Sequence, residues 1–145
     1  MVKVQVKKLT PTAVLPTLGS EKAAAYDLYS DADLIIIEPG ACEKVPTGLA
    51  ITPPEGYFGA IFARSGLATK RGLRPANCVG VCDEDYTGEY IIAVYNDGFA
   101  PQEIRRGDRI AQLIFLPYVH VDFEEVENLN TTDRGSGGFG STGMK

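Results

Sequence analysis

Two clusters of residues could do chemistry. Asp83, Glu84 and Asp85 put three carboxyl groups side by side, and Arg64-Ser65-Gly66 joins a guanidinium to a hydroxyl and a small residue. A carboxylate held near a substrate can take a proton from water. A guanidinium beside free backbone amides can seat an anion. Other catalytic sets are missing. His120 is the sole histidine and sits in an apolar stretch, which reads as a surface or edge position rather than a base. Cys42, Cys78 and Cys82 form no CxxC, and an odd count makes a poor disulfide framework, so free thiols in a cytosolic setting are expected. One histidine and no paired thiols leave zinc short of ligands. A Ser–His–Asp triad has no nucleophile-elbow context. Gly135 to Gly140 spells G-x-G-x-x-G, but only five residues follow it, too few for the βαβ unit of a dinucleotide fold. The sequon Asn130-Thr131-Thr132 has no secretory signal to give it meaning.

The elements that must position these groups are mostly strands. With 145 residues there is room for one domain, and a net charge of −5 disfavours non-specific nucleic-acid or membrane binding. Apolar runs such as Leu34–Ile37 are too short to cross a bilayer. Val2, Val4 and Val6 alternate with polar residues, as in a half-buried strand. Further strands are expected at Leu34–Ile37, Gly48–Ile51, Tyr57–Phe62, Tyr90–Tyr95, Ile110–Leu116 and Tyr118–Val121, with turns at Pro39-Gly40, Pro53–Gly56, Asn96–Gly98 and Arg106–Asp108. Many short strands with little helix imply a sandwich, jelly roll or barrel. Ser65–Gly72 reads as a short helix with a capping serine, basic residues in its last turn and a terminal glycine. Its first amides beside Arg64 suit an anion, and an ordinary capped connector would look the same. Residues 76–89 read as a hairpin whose far arm carries the three acids. Residues 134–143 hold five glycines and one large apolar side chain, Phe139. Such a segment buries too little to order itself and is either a passive tail or a flap that closes on a ligand.

Five local clusters now line up: Ala24–Leu28, Ala63–Leu67, Gly80–Tyr86 with Gly88-Glu89, Gly107–Leu113, and Arg134–Gly143. In this order and spacing they closely resemble the five motifs of the trimeric dUTP diphosphatases (dUTPases). The resemblance covers nearly the whole chain. It implies an all-β, distorted jelly-roll or β-clip subunit with one short helix, assembled as a homotrimer. Residues 1–130 would form the β domain, and 131–145 a glycine-rich C-terminal flap that completes a neighbour's site. The implied reaction is dUTP plus water giving dUMP and pyrophosphate with Mg²⁺, by attack on the α-phosphorus. That activity keeps uracil out of DNA and supplies dUMP for thymidylate synthesis.

The same resemblance assigns residues. Asp83 is the carboxylate that orients the attacking water, while Glu84 and Asp85 fit ordinary turn acids. Tyr86 packs on the deoxyribose and leaves no space for a 2′-hydroxyl. Asn77 with the backbone of Gly80, Val81 and Cys82 reads uracil. Arg64, Ser65 and Gly66 hold phosphates. Gln112 lies near the phosphates and the water, since an inward polar side chain in Ile110–Phe115 is expensive unless paired. Asp27 reaches the metal through water, and Asp108 and Arg109 make structural pairs. In the flap, Arg134 meets the terminal phosphate, Phe139 covers uracil, and Gly140 and Ser141 wrap the triphosphate. The chain departs from the usual pattern at Ala25, Ala63 and Cys82, where family members have Gly, Pro and an aliphatic residue. The alternatives are a dCTP deaminase on a related fold and a catalytically idle nucleotide-binding scaffold. The expected partners are dUTP and two further copies of the chain, with no nucleic acid and no membrane. The expected place is the cytoplasm, or a nucleus or host-cell interior, and not a secreted one.

Overall fold

The computed structural model describes residues 2–138. Eleven strands and one helix follow in order among these residues: β1 Gln5–Lys8, β2 Thr17–Leu18, β3 Tyr26–Tyr29, β4 Leu34–Ile37, β5 Cys42–Thr52, β6 Tyr57–Phe62, α1 Ser65–Arg71, β7 Leu73–Pro75, β8 Gly80–Cys82, β9 Glu89–Asn96, β10 Gln102–Arg105 and β11 Arg109–Pro117. All pairings are antiparallel. One sheet has the order β1-β5-β9-β7, a second β2-β3-β11-β6-β8, and β4 with β10 forms a separate pair. This is the all-β jelly-roll type of subunit with one short helix that the resemblance implies, one of the three architectures the strand pattern left open.

The core lies between the sheets. Leu28, Ile61, Ile110, Ala111 and Leu113 come from the five-stranded sheet and meet Val45, Leu49, Ile51, Leu73, Tyr90, Ile92 and Val94 from the other. In β9 every second residue points inward, from Tyr90 through Ile92 and Val94 to Asn96. Asn96 is fully buried, so its amide must be satisfied. Its Nδ2 donates to the carbonyls of Ile37 (2.8 Å) and Ala100 (2.9 Å), and its Oδ1 accepts the Gly98 N–H at 2.9 Å. Midway along β5 the pairing to β9 slips between Pro46 and Ala50. Gly48 sits in this bulge at φ +66°, where a Cβ would come within 2.7 Å of Asp31 Oδ2. Only glycine meets both demands.

Several expectations need correction. The N-terminal strand runs over Gln5–Lys8 and is exposed rather than half-buried; Val6 within it, with Val2 and Val4 before it, lines an apolar groove with Tyr26, Tyr57 and Phe115. Ser65 does not cap α1. The N-cap is Arg64, extended at φ −88°, ψ 130°, and it supplies no side-chain cap; Ser65 is already helical. Gly72 does end the helix, left-handed at φ 66°. Tyr118–Val121 forms no strand within the chain, and Val119 and Val121 face solvent. Alternation alone does not make a strand when no edge lies beside it to share hydrogen bonds. Residues 76–89 are not a closed hairpin either. β8 pairs with β6 in one sheet, and β9 pairs with β5 and β7 in the other. Among the described residues, no helix is long and apolar enough to cross a membrane.

Candidate active site

The loop between β8 and β9 crosses from one sheet to the other, and a cleft of about 240 Å³ opens where they part. Asn77, Gly80, Val81, Cys82, Asp83 and Tyr86 line it, with Tyr90 and Ile61 behind them. All six of these loop and β8 residues were singled out from sequence, and the fold brings them together. β8 runs tight against β6 because Gly80 has no side chain; a Cβ there would lie 3.0 Å from that of Ile61. The Tyr86 N–H donates to the Asp83 carbonyl at 3.1 Å, so Asp83 opens a β-turn, a position that suits aspartate. Its carboxylate is exposed and has no hydrogen-bond or ion-pair partner among the described residues, which leaves both oxygens free for water.

Glu84 is more than a turn acid. It accepts from the Gly56 N–H and from the Tyr118 hydroxyl, both at 2.7 Å, and so bolts the turn to the start of β6 and the end of β11. Those two donors, Tyr118 first, hold its carboxyl below the usual carboxylate range. The Tyr86 ring passes close by Gly88, where a Cβ would come within 2.5 Å of the tyrosine oxygen, and its hydroxyl donates to the Glu89 carbonyl at 2.9 Å. Burial pushes the Cys82 thiol up, so it stays protonated and behaves as a small apolar filler.

The second cluster stands on the five-stranded sheet. Asp27 on β3, Gln112 on β11 and Phe62 on β6 occupy one cross-strand row. The chain leaves β6 through Ala63 to Arg64, whose Nε donates to Asp27 Oδ1 at 2.7 Å, while Arg109 Nη1 donates to Oδ2 at 3.2 Å. One buried carboxylate therefore fixes two guanidiniums. Gln112 Nε2 donates to the Ala63 carbonyl at 2.7 Å. Its amide is paired, and the reasoning that burial would force it onto a ligand does not hold; what remains open is its Oε1. Ser65 and Gly66 are exposed, and as the first helical residues their N–H groups have no intrahelical acceptor. Arg64, Arg71 and Arg109 line the adjoining cleft. Neither Arg71 nor Arg109 was placed near a ligand by the sequence. Asp108 is structural as expected, its Oδ2 accepting the Arg105 N–H at 2.9 Å.

The two clefts share no lining residue. Arg134 belongs to neither; it is exposed and donates to the Gly137 carbonyl at 2.8 Å within its own turn. Phe139, Gly140 and Ser141 lie outside the described residues. Among the described residues no three His, Cys, Asp or Glu side chains gather as a metal cage. Asp27 stands beside the arginine cleft, but both its oxygens already hold guanidiniums. It can reach a cation only through that cation's waters, and Mg²⁺ keeps several of these when phosphates carry it.

Known proteins share this sequence and this geometry. The family model for dUTPase matches residues 12–143. A deoxyuridine 5'-triphosphate nucleotidohydrolase of Desulfitobacterium hafniense is 51% identical over 132 residues, which is 90% of this chain and 87% of the relative. One from Candida glabrata is 45% identical over 144 residues, covering 99% and 96%. Among solved structures, a mutant dUTPase of Staphylococcus bacteriophage 80alpha with dUpNHpp superposes with a TM-score of 0.91 at 27% identity, covering 99% of this chain and 100% of that one. A mutant dUTPase from phage phi11 of S. aureus, described with a structural Mg(II) ion, gives 0.81 at 25% identity, covering 90% and 100%.

Proposed function

The chain belongs to the dUTPase family and hydrolyses dUTP to dUMP and pyrophosphate, and on that premise we propose that the β8–β9 cleft holds deoxyuridine and the arginine cleft holds the phosphates. Asp83 carries the reading. It is the acid on the cleft wall with no protein partner among the described residues, so its oxygens are open to a water at the α-phosphorus. Asp83 accepts that water's proton as the new P–O bond forms, and pyrophosphate leaves on the far side. Asn77 and the backbone of Gly80, Val81 and Cys82 present donors and acceptors to the uracil edge. A cytosine would leave buried groups unmatched there, at about 1–3 kcal/mol each. Tyr86 covers the face of the sugar where a ribose would carry its 2′-hydroxyl.

Arg64 and the first amides of α1, with the Ser65 hydroxyl and Gly66, take the phosphate oxygens, and Arg109 adds charge beside them. Gln112 holds the Ala63 carbonyl, and with it the approach to Arg64, leaving Oε1 to accept from water. Mg²⁺ would ride on the phosphates with its waters turned toward Asp27, and the chemistry it supplies when bound is neutralisation of phosphate charge.

The family resemblance implies a homotrimer in which one nucleotide spans residues of more than one copy, and two clefts that share no lining residue are compatible with that arrangement. The exposed side chains of Val119, Val121 and Phe123 fit an arm that leaves its own subunit. Arg134, Phe139, Gly140 and Ser141 of that arm close over the nucleotide and exclude water. Free thiols at Cys42, Cys78 and Cys82 suit work inside the cytoplasm.

The test is pyrophosphate release from dUTP by the wild type and by Asp83→Asn. Wild-type turnover with a loss of about 10²–10⁴-fold in the variant is the expected result for a missing general base. Equal rates in the two proteins would remove Asp83 from the mechanism.

A further inference from the structure

An apolar wall excludes a hydroxyl by only about 10²-fold, and it does so only if it cannot yield. Tyr86, the wall in the reading above, is poorly placed to resist alone. It is 43% exposed, it sits on a crossing loop, and one hydrogen bond to the Glu89 carbonyl ties down its hydroxyl. Something behind it must keep it from moving aside.

We propose that Tyr90 is that support: a positioning residue whose buried ring backs Tyr86 and so sets the discrimination between deoxyribose and ribose. The proposal rests on the reading of Tyr86 as the sugar wall. The two rings stand 6.2 Å apart between centroids with their planes tilted by 34°, within the range of paired aromatics. Tyr90 is only 2% exposed and lies in the core between the sheets. Its backbone is fixed by the Thr47 hydroxyl, which donates to its carbonyl at 2.7 Å. Its own hydroxyl ends against Gly59 of β6, where even a Cβ would lie 3.0 Å from the oxygen. The ring is therefore held at both ends and has nowhere to retreat.

The surroundings are cut to fit this pair. Gly59 leaves room for the Tyr90 hydroxyl, and Gly88 leaves room for the Tyr86 ring. Cys82, small where an aliphatic side chain is usual, lines the same cleft as Tyr90. The Tyr90 hydroxyl is buried beside the Cys82 thiol, a weak hydrogen-bonding group, and makes no other hydrogen bond among the described residues. The ring spans from β9 to β6 beneath Tyr86, and this span is what backs the wall.

The experiment measures kcat/KM for dUTP and for UTP in the wild type, Tyr86→Leu, Tyr90→Phe, Tyr90→Leu and Tyr90→Met. The ratio of the two values is the readout, because general damage to the fold lowers both together and leaves it unchanged. Tyr90→Leu should reduce the ratio by about tenfold or more out of the ~10² that a wall can give. Tyr90→Met should do the same; it fills much of the space with a flexible chain and keeps the test open if the leucine variant is unstable. Tyr90→Phe keeps the ring and should restore the ratio. A wild-type ratio in either aliphatic variant, or a loss in Tyr90→Phe as large as in Tyr90→Leu, overturns the proposal. If Tyr86→Leu loses discrimination while Tyr90→Leu keeps it, Tyr90 alone is refuted. If Tyr86→Leu keeps it, the sugar wall itself is refuted.

Discussion

The β8–β9 cleft and the arginine cleft are built on opposite plans. The first is shaped by packing: a crossing loop, glycines that admit close neighbours, a tilted pair of rings, and, among the described residues, one carboxylate left free on the wall. The second is shaped by charge, with Asp27 fixing Arg64 and Arg109. An acid kept unpaired is ready to react, whereas an acid fully paired is there to hold others in place. Asp27 and Asp83 are the same residue type with contrasting tasks, and their environments separate them.

Removing the charge at Asp27 should do the greatest harm to stability. Asp27→Asn leaves two guanidiniums crowded together without a counter-charge. A fully buried pair would lose ~3–5 kcal/mol. With the Arg64 side chain 28% exposed and that of Arg109 50% exposed, solvent screening lowers this to about 1–3 kcal/mol. Denaturant melts should show that loss for Asp27→Asn, while Asp83→Asn stays within about 0.5 kcal/mol of wild type. Equal losses at the two positions would end the contrast.

A smaller effect tests the packed cleft. In Gly88→Ala the new methyl must displace Tyr86, since the Cβ would lie 2.5 Å from its oxygen. Discrimination of dUTP over UTP should fall by several-fold, up to about tenfold, with the melting curve little changed. Retained discrimination would mean that the ring's position is not set there.

The smallest effect concerns the bolt at Glu84. Its folded-state ionisation is depressed by Tyr118 and Gly56, so its contribution is present above the ordinary value of 4.5 and is lost as pH falls through the lower, folded value. Glu84→Gln should therefore melt slightly lower than wild type at pH 7, and the gap should close in acid below 4.5. A gap that widens on acidification would contradict the tie.

Most of the cleft was legible from sequence because its residues are local: Asn77 through Tyr86 lie within ten positions, and Gly80–Tyr86 is one of the clusters that carry the family resemblance. β4 and β6 were read at their observed limits, and Gly72 was read as the end of α1, since each carries its signal within a few residues. What escaped depends on distant partners. β2, β3, β7, β8 and β10 are two to four residues long, too short for any periodicity to show. The arms of 76–89 belong to different sheets because β6 and β5 compete for them, and neither competitor is nearby in sequence. Arg109 was read as a member of a structural pair, but its partner, Asp27, lies 82 residues away and is met only through the β3–β11 pairing. Tyr90 was read only as the first residue of the strand Tyr90–Tyr95. Its close approach to Gly59 exists only once β6 is beneath it.

β9 has a consequence for how the two clefts are spaced. Near its start, Tyr90 stands behind the β8–β9 cleft. At its end, Asn96 fixes the turn to Gly98, and Gly72 meets that turn so closely that a Cβ would lie 2.7 Å from the Gly98 nitrogen. The six-residue step from Tyr90 to Asn96 is a stiff ruler of about 20 Å. Its far end is riveted, main chain against main chain, to the helix that begins at Ser65. Every copy of the chain carries the same ruler, so a side chain added at Gly72 or Gly98 would shift the arginine cleft against the β8–β9 cleft without lining either.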